Sequence, residues 1–253
     1  RAPAQCKVHQ FDKDDRATSR REDVPDMQVI IEFLRFVLRV LAICLVGFRV
    51  FNKHLIPADE PVLFVSNHQS FLDLIFIGMV IDKPLCFVAR RSLRKSALFR
   101  ILTWPFDLIL IDRDTADISA VRGAIKKLSE RKSVLVFPEG TRTRTGNLGI
   151  YKRGFVLIAK KAAVPVVPVV IEGAYRVLPP GNLLPQPHKV AIIFGRPFVY
   201  GQTLEKNRTE SVAPGSRVGG ALSKSCQGQD LYESVTQEVG RLCAVLKRRL
   251  NAS

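Results

Sequence analysis

The sequence predicts an α/β fold: a single domain with a mixed, largely parallel buried sheet flanked by helices, preceded by an interfacial amphipathic membrane helix. Three observations carry that expectation. Short apolar runs closed by turn residues alternate with stretches at helical spacing from Pro61 to Phe194. The composition is that of a packed chain, 47% hydrophobic with 15 Phe and only 25% charged. Ahead of this core, residues 27–51 are rich in Leu, Val, Ile and Phe yet carry charges on one stripe.

Residues 1–26 are polar, with six basic residues balanced by six acidic ones, and are expected to form a flexible tail without a signal-peptide pattern. Residues 27–52 are expected to form the interface helix. Their longest uncharged stretch, Val40 to Phe48, is far short of the roughly 20 residues a spanning helix needs. Gln28, Glu32, Arg35, Arg39 and Arg49 fall on about a third of the helix circumference, facing headgroups, and the rest is apolar.

The α/β domain is expected over 53–200. Pro61 to Val65 reads as a buried strand, and a helix starts near Ser70 and runs to Val80. Phe106 to Ile111 is a strand, Ala116 to Glu130 an amphipathic helix, and Ser133 to Phe137 another strand. A helix over Phe155 to Ala163 precedes strands at Val166 to Ile171 and Val190 to Phe194. Residues 201–229, rich in Gly, Ser and Lys, are expected to be a flexible loop or insertion. Residues 230–253 close the domain with a helix, through Leu231, Val235, Val239, Leu242 and Leu246.

The formal charge of +16 favours anionic surfaces or acidic partners. Lys83, Arg90, Arg91, Arg94, Lys95 and Arg100 form a run with no acid among them. Nucleic acid is not expected as a partner, because the aromatics sit in apolar runs and number only 4 Tyr and 1 Trp besides Phe. An anionic membrane surface accounts for the charge, with the cytoplasmic face as the expected location. The five cysteines lack C-x-x-C spacing, which argues against a disulfide framework or zinc site and fits a reducing compartment. No metal and no cofactor are expected.

His68 sits at the polar end of an apolar strand, where α/β folds carry chemistry, and Asp73 follows five positions later across a turn into a helix. A carboxylate so placed fixes the imidazole tautomer and stabilises the imidazolium as it forms. The residues alone leave open whether the nucleophile is a protein hydroxyl (Ser66 or Ser70) or belongs to the substrate; no G-x-S-x-G is present. A second constellation, Phe137-Pro138-Glu139-Gly140-Thr141-Arg142, ends another strand. Gly140 permits a sharp turn, Thr141 adds a hydroxyl, and Arg142 supplies a planar fork suited to phosphate. Lys152 and Arg153 add charge nearby.

Together with Ile109-Leu110-Ile111-Asp112-Arg113 and Val164-Pro165-Val166-Val167-Pro168-Val169, these blocks resemble, in order, those of the 1-acylglycerol-3-phosphate acyltransferases. The resemblance runs from about Pro61 to about Pro197. It implies that His68 acts as general base on the lysolipid hydroxyl, oriented by Asp73. It also implies that Glu139, Gly140, Thr141 and Arg142 hold the acceptor phosphate, helped by Arg113, Arg90 and Arg91. The partners implied are lysophosphatidic acid or a related lysolipid, and acyl-CoA or acyl carrier protein as donor. Two departures, Asp107 in place of a common glycine and Arg90-Arg91 in place of a lysine pair, are expected beside the acceptor site. The alternatives are the same chemistry on another lysolipid or glycerol-3-phosphate, a hydrolase using the same pair, and a non-enzymatic basic membrane-surface module.

Overall fold

The computed structural model describes residues 47–96, 99–100, 103, 106–111, 116–179, 181–182, 184–201, 224–226 and 228–252. The expected tail and the interface helix up to residue 46 lie outside the described residues, as do 202–223 and Arg113. The strands are β1 (Arg49–Phe51), β2 (Leu63–Ser66), β3 (Leu85–Arg90), β4 (Asp107–Ile111), β5 (Ser133–Val136), β6 (Val166–Glu172), β7 (Ala191–Phe194), β8 (Phe198–Tyr200) and β9 (Lys224–Cys226). The helices are α1 (Asp73–Val80), α2 (Ala116–Ser129), α3 (Gly154–Ala162), α4 (Ala174–Val177) and α5 (Gly228–Asn251).

The sheet runs in the order β1-β7-β6-β2-β5-β3-β4, with β8 pairing β6 and β9 pairing β8. Strands β6, β2, β5, β3 and β4 are mutually parallel, and β7 and β8 lie antiparallel to β6, so the sheet is mixed and largely parallel. Alternate side chains serve two cores. Phe64, Phe87, Leu135 and Val167 pack with α1 on one face. Leu63, Val65, Val134, Val136 and Val170 pack with residues of α2, α3 and α5 on the other. Both faces are buried, which is why the strands read as continuous apolar runs.

The parallel strands direct their carboxyl ends to one edge. From β2 the chain crosses to β3 on one side; from the adjacent β5 it crosses to β6 on the other side. Connections that leave neighbouring strands in opposite directions open a crevice between the two strand ends, the usual ligand site of an open α/β sheet. His68 follows β2 and Glu139 follows β5.

Four expectations need correction. Arg49 is not on the interface helix: Gly47 takes a left-handed φ of 54°, and Arg49–Phe51 pairs with Ala191–Ile193 as an edge strand. Residues 85–90 form β3, between β5 and the edge strand β4, though the sequence reading gave them no element. Residues 224–226 form β9 and α5 begins at Gly228, so the 201–229 segment is not loop throughout. Finally, Asp107 stands away from the acceptor edge. It opens β4 in register with Cys86, whereas Ile111 at the far end pairs with Arg90, about 13 Å along the strand.

At that remote edge the Asp107 carboxylate bonds Lys127 (3.0 Å) and Lys132 (2.9 Å). Burial pushes its carboxyl up, but the two ammonium groups together outweigh this and hold it below the usual range. A lowered folded value means stability that is present above the ordinary carboxylate pKa and lost as pH falls through the lowered one. Asp107→Asn is therefore expected to lower stability at neutral pH by about 0.5–1 kcal/mol, solvent screening limiting the loss. Urea unfolding should show the difference shrinking below about pH 4, with catalytic rates unchanged.

Candidate active site

The chain leaves β2 under tight restraint. The Asn67 side chain both donates to and accepts from the Ile171 backbone (2.9 Å each), fixing the strand exit to β6. The backbone then curls so that the N–H groups of Gln69 and Ser70 donate to Asp73 Oδ2, at 2.6 and 2.8 Å. The same oxygen lies 2.8 Å from His68 Nδ1. This turn uses residues 67–72, so α1 starts at Asp73 and not near Ser70. Asp73 is fully buried, and His68 keeps 18% of its side chain exposed. A carboxylate only accepts, so Nδ1 carries the proton and the lone pair falls to Nε2.

The second constellation packs directly on the first. The Phe137 ring stacks on the His68 imidazole, centroids 4.1 Å apart and planes inclined by 19°. Glu139 Oε1 accepts from the His68 N–H (3.0 Å), and Oε2 from the Gly149 N–H (3.2 Å). Thr143 N–H donates to the His68 carbonyl at 2.8 Å. Gly140 adopts φ 72° while its N–H closes the turn on Phe137, a conformation open to glycine. The turn leaves Thr141 and Arg142 exposed, and Arg142 makes no ion pair among the described residues.

These contacts bring His68, Asp73 and the 137–143 loop together. Arg90 and Arg91 lie at the same edge, at the carboxyl end of β3, and both are exposed. Glu139 has a different occupation from the one expected. Both its oxygens bind backbone N–H groups, and a carboxylate repels a phosphate. Burial raises its pKa above the ordinary range, while the His68 and Gly149 N–H groups pull against that shift.

Sequence reasoning left Gln69 and Glu172 without a role. Gln69 is buried; its Nε2 donates to Glu172 Oε2 and to the Gly146 carbonyl, 3.3 Å each, and its Oε1 accepts from Tyr175 N–H. The available signal was a lone acid ending a fully apolar strand. Neither serine near His68 has its hydroxyl directed at the imidazole: Ser66 Oγ donates to the Asn67 carbonyl and Ser70 Oγ to that of Leu178. Burial pushes the Cys86 thiol up to about 12 and that of Cys243 to about 11, which leaves both inert as nucleophiles. No cluster of metal-ligating side chains occurs among the described residues.

A family model described as Acyltransferase matches residues 47–172. The chain is 30% identical over 135 residues to the chloroplastic 1-acyl-sn-glycerol-3-phosphate acyltransferase LPAT1 of Arabidopsis thaliana, covering 51% of this chain and 37% of that protein. It is 36% identical over 123 residues to 1-acyl-sn-glycerol-3-phosphate acyltransferase alpha of Homo sapiens, covering 47% and 44%. It thus spans less than half the length of these curated relatives. Among solved structures, the 1-acyl-sn-glycerophosphate (LPA) acyltransferase PlsC of Thermotoga maritima matches with a TM-score of 0.66 at 25% identity, over 88% of this chain and 84% of that one.

Proposed function

This chain belongs to the acyltransferase family, and on that premise we propose that it moves a fatty acyl group from a thioester to the free hydroxyl of 1-acylglycerol-3-phosphate, giving phosphatidic acid. The observation that carries the reading is the 2.8 Å contact of His68 Nδ1 with a buried Asp73 that two backbone N–H groups hold in place. A base so oriented presents Nε2 to whatever occupies the crevice.

The acceptor hydroxyl gives its proton to His68 Nε2 as its oxygen attacks the thioester carbonyl carbon. The imidazolium is stabilised by Asp73, and collapse of the tetrahedral intermediate breaks the C–S bond. His68 returns the proton to the departing sulfur, leaving an ester and a free thiol. No protein nucleophile takes part, in keeping with the backbone engagements of Ser66 and Ser70. Arg142, flanked by Thr141 and the Gly140 turn, holds the acceptor phosphate, with Arg90 and Arg91 at the same edge adding attraction. Glu139 acts as a positioning residue, setting the His68 backbone. Binding the phosphate places the hydroxyl at Nε2, a gain from orientation. The donor, acyl-CoA or acyl carrier protein, is an anion drawn by the same field. An acceptor with an acyl chain sets the reaction at a membrane surface, the cytoplasmic face in this reading. No described helix is long and apolar enough to cross a membrane.

The test is an acceptor panel of lysophosphatidate, glycerol-3-phosphate and monoacylglycerol, each with both donor types. Arg142→Ala is expected to lower kcat/KM for lysophosphatidate about 10- to 100-fold, mainly through KM, the loss of one charge-assisted hydrogen bond. It should leave any activity on monoacylglycerol unchanged. Equal wild-type rates on lysophosphatidate and monoacylglycerol would remove the phosphate role.

A further inference from the structure

The β5–α3 loop does more than pack on His68. Its outer half is hydrogen-bonded into one shape: Tyr175 Oη donates to the Arg144 carbonyl (2.8 Å), Gln69 Nε2 to that of Gly146, and Gly149 N–H to Glu139. Tyr232 Oη donates to the Tyr151 carbonyl at 2.7 Å, and the Tyr151 side chain is buried. Ile150 therefore stands between two pinned neighbours, yet is 89% exposed; Leu148 is 40% exposed. Single exposed apolar residues are ordinary on a surface. An isoleucine fixed outward beside a leucine, on a loop held on both sides, is a built projection.

The charge around it has one sign. Arg142, Arg144, Lys152 and Arg153 are exposed on the same loop, and residues 140–153 contain no acid. The adjacent parallel strand β3 ends at the same edge in a 3-10 turn, Arg91–Lys95, with Leu93 41% exposed among basic residues. Apolar tips among cations fit an anionic bilayer, where the tips enter the acyl boundary and the cations meet lipid phosphates.

We infer that the 142–153 loop is a membrane-docking element, inserting Leu148 and Ile150 into an anionic lipid surface beside the mouth of the site. It rests on the proposed reading in one respect: a lipid acceptor reaches His68 from the surface that the loop grips.

The chain and its Leu148→Ser/Ile150→Ser variant are compared in sedimentation with vesicles of phosphatidylcholine alone and of phosphatidylcholine mixed with phosphatidylglycerol. The wild type is expected to prefer the anionic vesicles, and the variant to bind them on the order of tenfold more weakly. Circular dichroism and turnover of a short-chain lysophosphatidate dispersed as monomers should be the same for both proteins. Turnover of acceptor presented in vesicles should fall with binding. Equal vesicle binding by the two proteins overturns the inference, as does a wild type indifferent to lipid charge. A variant that keeps its vesicle affinity but loses turnover with acyl carrier protein overturns it in favour of an acidic protein partner. Vesicle binding is read without turnover, so failure of the proposed reaction is distinguishable from failure of the docking.

Discussion

His68→Ala is expected to lower kcat/KM for acyl transfer about 10²- to 10⁴-fold, the range a positioned general base supplies. With Nδ1 committed to Asp73, the lone pair of the imidazole falls to Nε2, the atom to which the proposed mechanism gives the acceptor's proton. Folding should be little affected. The side chain is partly exposed, and its stack on Phe137 is worth about 1 kcal/mol. Single-turnover transfer from a thioester, measured beside the unfolding midpoint, checks both parts. A rate within a few-fold of wild type would place the base elsewhere.

Asp73 is expected to give the largest combined effect, because one oxygen serves fold and chemistry together. In Asp73→Ala the N–H groups of Gln69 and Ser70, both buried residues, lose their acceptor, a loss of about 2–5 kcal/mol in total. Asp73→Asn keeps an amide oxygen for those N–H groups, so most of the stability returns. The same amide oxygen faces His68 Nδ1, but a neutral amide no longer stabilises the imidazolium charge that develops there. The Asn variant should therefore fold yet lose about 10²- to 10⁴-fold in rate, as the His68 variant does. A double variant, His68→Ala with Asp73→Asn, should be no slower than His68→Ala alone, since Asp73 acts through His68. Additive losses would give Asp73 a separate task.

The sheet strands were legible where apolar runs stood between turn residues, as at 61–65, 133–137 and 166–171. β3 was not, although Leu85-Cys86-Phe87-Val88-Ala89 is such a run. It abuts a block of cations, and a parallel strand buried on both faces carries no alternation to mark it. β1 and β9 are three residues each and exist through pairing with β7 and β8, information local sequence does not hold. At the site, residue types were readable but partners were not. His68 with Asp73 follows from a five-residue separation, whereas Glu139 reaches His68 across 71 positions through a backbone N–H. The phosphate role expected of Glu139 is an implication of the family resemblance, whereas its backbone partners leave no trace in side-chain identity. The same reason hid Gln69, whose contacts with Gly146, Glu172 and Tyr175 depend on how β5 and β6 flank β2.

Glu139 and Glu172, both raised by burial, mark the energetic consequence of that arrangement. A raised carboxyl keeps its proton in the folded state at a pH where the unfolded chain has released it. Their contribution to stability therefore falls as pH rises from the ordinary carboxylate value through the raised one. The protein tolerates two half-buried carboxylates because each holds the loop that carries His68.

The central claim is that His68 activates a hydroxyl of the lipid, with no hydroxyl of the protein intervening. The most direct measurement follows thiol release and diacylated product together in one reaction of thioester with enzyme, with and without lysophosphatidate. The account predicts that thiol release requires the acceptor, equals the phosphatidic acid formed, and disappears in His68→Ala. Thiol release at the same rate without acceptor, yielding free fatty acid or an acylated protein, would contradict it.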